Sequence, residues 1–224
     1  TIAILNEQTD KRYTLLLIPV IGVLIFFGLY FVATLFYPGG SQVDHNSTGF
    51  SWINNYWCNL LNEKAINGEP NPSKPIALAG LFVLCLTLAM FWILLPSHIN
   101  LGNKLNVLIQ ISGIISMTIA SFLFTNINHD LITNLATLFG LIALIGTFIG
   151  LYKTKWYRLF VFGLLNILLV GVNTFIYYTK GLLIYLPIIQ KISFATFLIW
   201  VSCINLNLFY KAKSTIRTQN PVLD

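Results

Sequence analysis

Charge is the scarcest property of this sequence. Only 9% of its 224 residues are charged, and seven of them are acids, far below the usage of soluble globular domains. A chain so poor in charge cannot clothe a water-facing surface, which excludes an ordinary soluble enzyme and an intrinsically disordered chain alike. Cysteine is equally sparse. Cys58, Cys85 and Cys203 are the three present, and their expected depths (outside, mid-membrane and towards the inside) exclude an intrachain disulfide framework. Histidine also numbers three, with no H-x-x-x-H or H-E-x-x-H spacing to build a metal centre on one helix face. Walker A and G-x-G-x-x-G signatures are missing, as is a pair of intramembrane histidines suited to haem, so no cofactor is expected.

What the chain does have is apolar length. Hydrophobic residues make up 56% of it and its mean hydropathy is +0.77. Several runs reach the roughly 18 to 20 residues that cross a bilayer as helix, and none alternates as a barrel strand does. The sequence predicts an all-α polytopic membrane protein: one domain over residues 1–224, an antiparallel bundle of six transmembrane helices. The spans are expected at 14–37, 75–95, 105–125, 131–152, a fifth ending near Tyr178, and 182–210. Pro19 and Gly22 are expected to bend the first span. That span is too long for a signal-peptide core and reads as uncleaved.

The net charge of +6 follows this layout and does not point to nucleic acid. Of the 13 basic residues, Lys11, Arg12, Lys104, Lys153, Lys155, Arg158, Lys211, Lys213 and Arg217 fall on one side. Lys64, Lys74 and Lys180 fall on the other. By the positive-inside rule both termini and the 211–224 tail are cytoplasmic, and the loop 38–74 faces outward. A compact six-span chain of this kind suits a bacterial inner (plasma) membrane.

The outward loop carries the densest polar chemistry. Its stretch from Phe50 to Asn62 reads FSWINNYWCNLLN. Wound as a helix it sets Trp52, Ile53, Tyr56, Trp57 and Leu60 on one face and Asn55, Cys58, Asn59 and Asn62 on another. An extracytoplasmic amphipathic helix lying in the membrane interface is therefore expected, anchored by Trp52, Tyr56 and Trp57. Beneath it, Asn126, His129, Asp130, Asn134, Asn173 and Lys191 are expected at the outer level, with Asp44, His45, Asn55, Cys58 and Asn59 from the loop. Lys191 lies about nine residues past Leu182, on the order of 13 Å below the outer end. An ionisable residue inside a span is by default a functional hypothesis, and Asp130 is its expected partner.

Three functional readings follow from these residues. The first is a polar pocket for a lipid headgroup or small amphiphile, lined by Lys191, Asn173, His129 and Asp130. The second is a membrane-embedded hydrolase with His129 and Asp130 as acid–base pair or, with His45, as weak metal ligands. The third is a packing subunit of a larger membrane complex, docking through Gly146 and Gly150. Membrane lipids are the expected partners in the first two.

Two family resemblances attach to the same residues. Asn55-Tyr56-Trp57-Cys58-Asn59, then Asn67-Gly68, Pro75 opening a span and His129 before Leu131 together resemble a group of six-span bacterial membrane proteins. That resemblance implies the six-span layout and a polar first loop, and implies no reaction. Trp57-Cys58 also resembles the Asp-Trp-Cys-Glu segment of alkaline ceramidases. Tyr56 and Asn59 stand where that segment carries its acids, and no histidine follows His129 to supply the family's last-span His-x-x-x-His pair, so the ceramidase assignment is rejected.

Overall fold

Within a bilayer an apolar run can satisfy its own backbone polar groups only as helix. The computed structural model describes residues 13–99, 101–123 and 129–219, and among them it contains helices and no strand. The helices are α1 (Ile18–Leu35), α2 (Lys74–Leu94), the single turn α3 (Pro96–Ile99), α4 (Asn103–Ala120), α5 (His129–Lys153), α6 (Tyr157–Tyr178) and α7 (Leu186–Gln219). Five helical segments are long and apolar enough to cross a membrane: Leu15–Leu35, Lys74–Ile99, Leu131–Lys153, Tyr157–Tyr178 and Lys180–Ser214. The expected third span is α4, which is not one of these five. Asn103, Lys104, Asn106 and Gln110 dilute its apolar character.

Prolines set where helices begin. A 3-10 turn, Leu15–Leu17, precedes α1, and Pro19 occupies the first turn of the helix proper, where its missing N–H removes no helix bond. Pro75 opens α2 in the same way.

Small residues set how closely helices approach. A Cβ added at Gly22 would stand 2.0 Å from Thr87 Oγ1, so α1 and α2 press together at that level. Between α4 and α5, the Ser116 hydroxyl donates to the Ala136 carbonyl at 2.7 Å. A Cβ at Gly146 would meet Ile109 at 2.3 Å, and one at Gly150 would meet Ile99 at 2.4 Å. The small-residue face of α5, expected to receive a partner subunit, is thus filled by α3 and α4 of the same chain. On α6, Gly163 admits Phe148 and Trp200, and the Trp200 indole donates to the Leu159 carbonyl at 2.7 Å. Helical spacing places Gly163, Asn166, Val170 and Asn173 on one face, which is expected to turn inward; Gly163 and Asn166 are buried, whereas Val170 is exposed.

α7 runs antiparallel to α1. Tyr13 meets Phe209 with ring centroids 5.5 Å apart at one end, and Phe26 meets Phe194 at 5.7 Å towards the other. The bundle has two chemically distinct poles as a result. At the first, Lys211 lies over the Trp156 ring at 5.4 Å, beside the turn that carries Lys153, Lys155 and Arg158. At the second stands the loop 38–74, folded as a cap.

Candidate functional site

The cap does not contain the expected amphipathic helix. Residues 51–56 form turns, and only Trp57–Leu61 winds, as a 3-10 helix. The cause is the amide density of the segment, because asparagine side chains offer the backbone nearby alternatives to helical bonds. Asn55 is fully buried. Its Oδ1 accepts from the Ser51 N–H at 2.8 Å and its Nδ2 donates to the Gly40 carbonyl at 2.8 Å. Asn59 Oδ1 accepts from the Tyr56 N–H at 2.7 Å. Asn71, held between Pro70 and Pro72, donates through Nδ2 to the carbonyls of Asn59, Leu60 and Asn62 at 2.9 to 3.2 Å. Its own Oδ1 accepts from the Ser73 hydroxyl at 2.5 Å. Gly40, at φ +81°, lets the chain pass so close to Ile66 and Asn67 that a Cβ would stand 2.4 Å from the Asn67 N; only glycine adopts that conformation and that approach without strain.

The loop therefore buries its amides and turns one aromatic inward. Trp57 inserts among Phe26, Phe27, Tyr30 and Phe194, with ring centroids 5.5 to 6.1 Å away. Its indole N–H is buried and meets no acceptor among the described residues. Trp52 stays outside, 46% exposed and stacked on Phe31 at 6.4 Å, while Tyr56 is half-buried.

Directly beneath the turned segment lies Lys191, in the second turn of α7. Only 7% of it is exposed. Its Nζ donates to the Asn55 carbonyl at 2.5 Å and stands 5.9 Å from the Phe50 ring centroid. The ammonium thus clips α7 to the cap through a backbone acceptor and a π face. Among the described residues no carboxylate pairs with it; the ion pair present joins Lys74 to Glu63 on the cap surface.

A cleft of about 200 Å³ opens beside Lys191, walled by Phe26, Tyr30, Trp57, Leu84 and Phe194, with Cys58 and Gln190 at its margin. Cys58 exposes its surface into this cleft. The surrounding walls strip water from the thiol and push its pKa up, a shift that the nearby Lys191 ammonium partly opposes. A thiol so placed is neutral at pH 7 and is a poor nucleophile. The cleft is an apolar, aromatic hollow bordered, among the described residues, by one buried cation.

The other expected site residues divide three ways. Asn55 and Asn59 are near Lys191 but spend their side chains on the cap's own backbone. Asn173 does not line the cleft; its Nδ2 donates to the Ser193 hydroxyl at 2.5 Å and to the Leu169 carbonyl, joining α6 to α7. Asn134 is exposed on α5. Asp44 and His45 are exposed at the cap's surface, where the Asp44 carboxylate accepts from the Asn46 N–H at 2.9 Å. Asn126 and the side chains of His129 and Asp130 lie outside the described residues. Among those described, no three His, Cys, Asp or Glu side chains gather as a metal site would need. Sequence reading missed Phe194, one turn beyond Lys191 on the same face of α7, and Asn71, whose flanking prolines were the available signal.

Comparison with protein-family models, curated proteins and solved structures returned no match to this chain.

Proposed function

We propose that this chain is a six-span protein of a bacterial inner membrane whose cap-covered cleft binds an anionic amphiphile, a lipid or lipid-like molecule with a negatively charged head. The single observation that carries this reading is Lys191. A cation that is only 7% exposed and that, among the described residues, is answered by a carbonyl and a ring is incompletely compensated, and an anion in the adjoining cleft supplies the missing charge. The aromatic and aliphatic walls of the cleft suit the apolar part of the same molecule.

Three features support six spans. α4 is flanked on both sides by helices that it packs against along its length, through Gln110 to the Ile93 carbonyl and Ser116 to the Ala136 carbonyl. Its polar residues cluster in its first two turns, at the level of the basic pole. A sixth crossing also leaves both termini on the Lys- and Arg-rich side, as the positive-inside rule requires.

The test is head-group discrimination. In nanodiscs of phosphatidylcholine, dodecyl phosphate should bind while dodecyl trimethylammonium and dodecyl maltoside do not. Lys191→Met should weaken dodecyl phosphate by about tenfold or more, the range for a lost charge-assisted hydrogen bond, and Lys191→Arg should recover part of it. Equal binding of the three probes, or indifference to Lys191→Met, overturns the reading.

A further inference from the structure

Lys191 borders a second hollow. Between α1 and α7, on the bilayer-facing side of Trp57, runs a groove of about 480 Å³ whose walls include Phe27, Phe31, Ile188, Ile192 and Ala195. The helical register explains it. Phe27, Tyr30 and Phe31 recur at i, i+3 and i+4 on α1, and Ile188, Lys191, Ile192 and Ala195 at i, i+3, i+4 and i+7 on α7, so each helix presents one continuous stripe to the other. Ala195 is the small residue of the second stripe and leaves the groove its depth one turn below Lys191. Phe31 and Ile192 are exposed along it, so it opens sideways to the lipid.

Three residues, Tyr30, Trp57 and Lys191, border both this groove and the cleft. The two hollows therefore share the only described buried cation and a buried indole N–H that lacks an acceptor. An apolar trough bordered by an ammonium that donates to one backbone carbonyl and by an indole N–H that meets no acceptor among the described residues suits a hydrocarbon chain leading to an anionic head.

Resting on the head-group reading above, we infer that the ligand is a long-chain anionic amphiphile that reaches Lys191 sideways from the bilayer, its chain lying in the α1–α7 groove and its head held by Lys191 and Trp57. A water-soluble anion of the same charge lacks the chain contact and binds much more weakly. The occupant follows from the groove's continuity with Lys191 and from charge complementarity; a trough for bulk lipid alone would have no use for a cation at its end.

The experiment compares dodecyl phosphate with butyl phosphate in phosphatidylcholine nanodiscs. Ala195→Trp fills the groove and should weaken dodecyl phosphate about tenfold or more, since losing the seat of two methylenes is worth that much, while butyl phosphate is unchanged. Dodecyl phosphate binding unaltered in Ala195→Trp overturns the chain seat and leaves the head site standing; loss of neither probe in Lys191→Met instead overturns the head site. Because a bulky residue can disturb the fold, the wild-type protein supplies a second measurement. Stearate carrying a nitroxide near its carboxyl end should quench tryptophan emission more strongly than phosphatidylcholine carrying the same nitroxide, through Trp52 and Trp57 beside the groove. Equal quenching by the two overturns the inference whatever the variant does.

Discussion

Cys58 and Lys191 show how position decides what a reactive side chain can do. The thiol opens into a walled cleft, and the loss of water there raises its pKa, against a smaller opposing pull from the Lys191 ammonium. Its alkylation by a neutral maleimide should accordingly accelerate only above the pH at which an ordinary exposed thiol reacts. Lys191→Met removes the opposing cation, so the midpoint of the rate–pH profile should move further up. A midpoint that falls in the variant, or wild-type reactivity like that of free cysteine, contradicts this account. Lys191 itself was legible in the sequence as a lone cation in an apolar run. Its partner was not: no pattern of residue types announces that a backbone carbonyl, Asn55 O, will reach it from 136 positions away in the chain, because every residue carries the same carbonyl.

At the scale of the element, the 50–62 stretch is where periodicity misled. Its apolar residues do recur at helical spacing, but the Asn55 and Asn59 side chains bond the backbone locally, Asn55 also donates to the Gly40 carbonyl, and Asn71 takes the carbonyls of Asn59, Leu60 and Asn62. Helical spacing marks only which faces are apolar and carries no sign of amide side chains replacing helical bonds. Asn71 is the most heavily used of these groups. Asn71→Ala leaves three carbonyls short of a donor and should destabilise the cap by about 2 to 3 kcal/mol. The expected signature is faster amide hydrogen exchange across the 3-10 helix Trp57–Leu61, with the exchange of α5 and α6 unchanged; uniform loss across the bundle would contradict a local role. The helices themselves were readable, since their apolar length, their opening prolines and the small residues of α4 and α5 are all local signals. The partner of the small-residue face was not, because a glycine stripe looks the same whether its neighbour is another subunit or Ile99 and Ile109 of its own chain.

On the scale of the whole molecule, the two poles are the organising fact. One carries Lys153, Lys155, Arg158 and Lys211 around Trp156; the other carries the cap. If α4 crosses the membrane, its ends belong to opposite poles. Cysteines introduced as Lys104→Cys and Ser121→Cys in a background of Cys58→Ser should then differ in labelling by an impermeant maleimide added to intact cells, with Ser121→Cys labelled and Lys104→Cys protected. Equal labelling of the two would leave α4 on one side of the membrane. Polarity of the ends was visible in the positions of the basic residues, whereas the convergence of cap, α1 and α7 on one cation depends on distances that no linear pattern encodes.

The stitching of the cap has a further consequence. Its internal bonds join amides, hydroxyls and backbone groups: Asn55 to Gly40, Asn71 to the 59–62 carbonyls, Ser73 to Asn71, and the Ile66 N–H to the Tyr37 hydroxyl at 3.0 Å. None of these changes protonation state between mild acid and mild alkali. The ionisable Asp44, His45 and Glu63 sit at the exposed rim. A roof fastened this way keeps its bonds, and with them its form, from mild acid to mild alkali, so the cleft beneath it stays covered across that range.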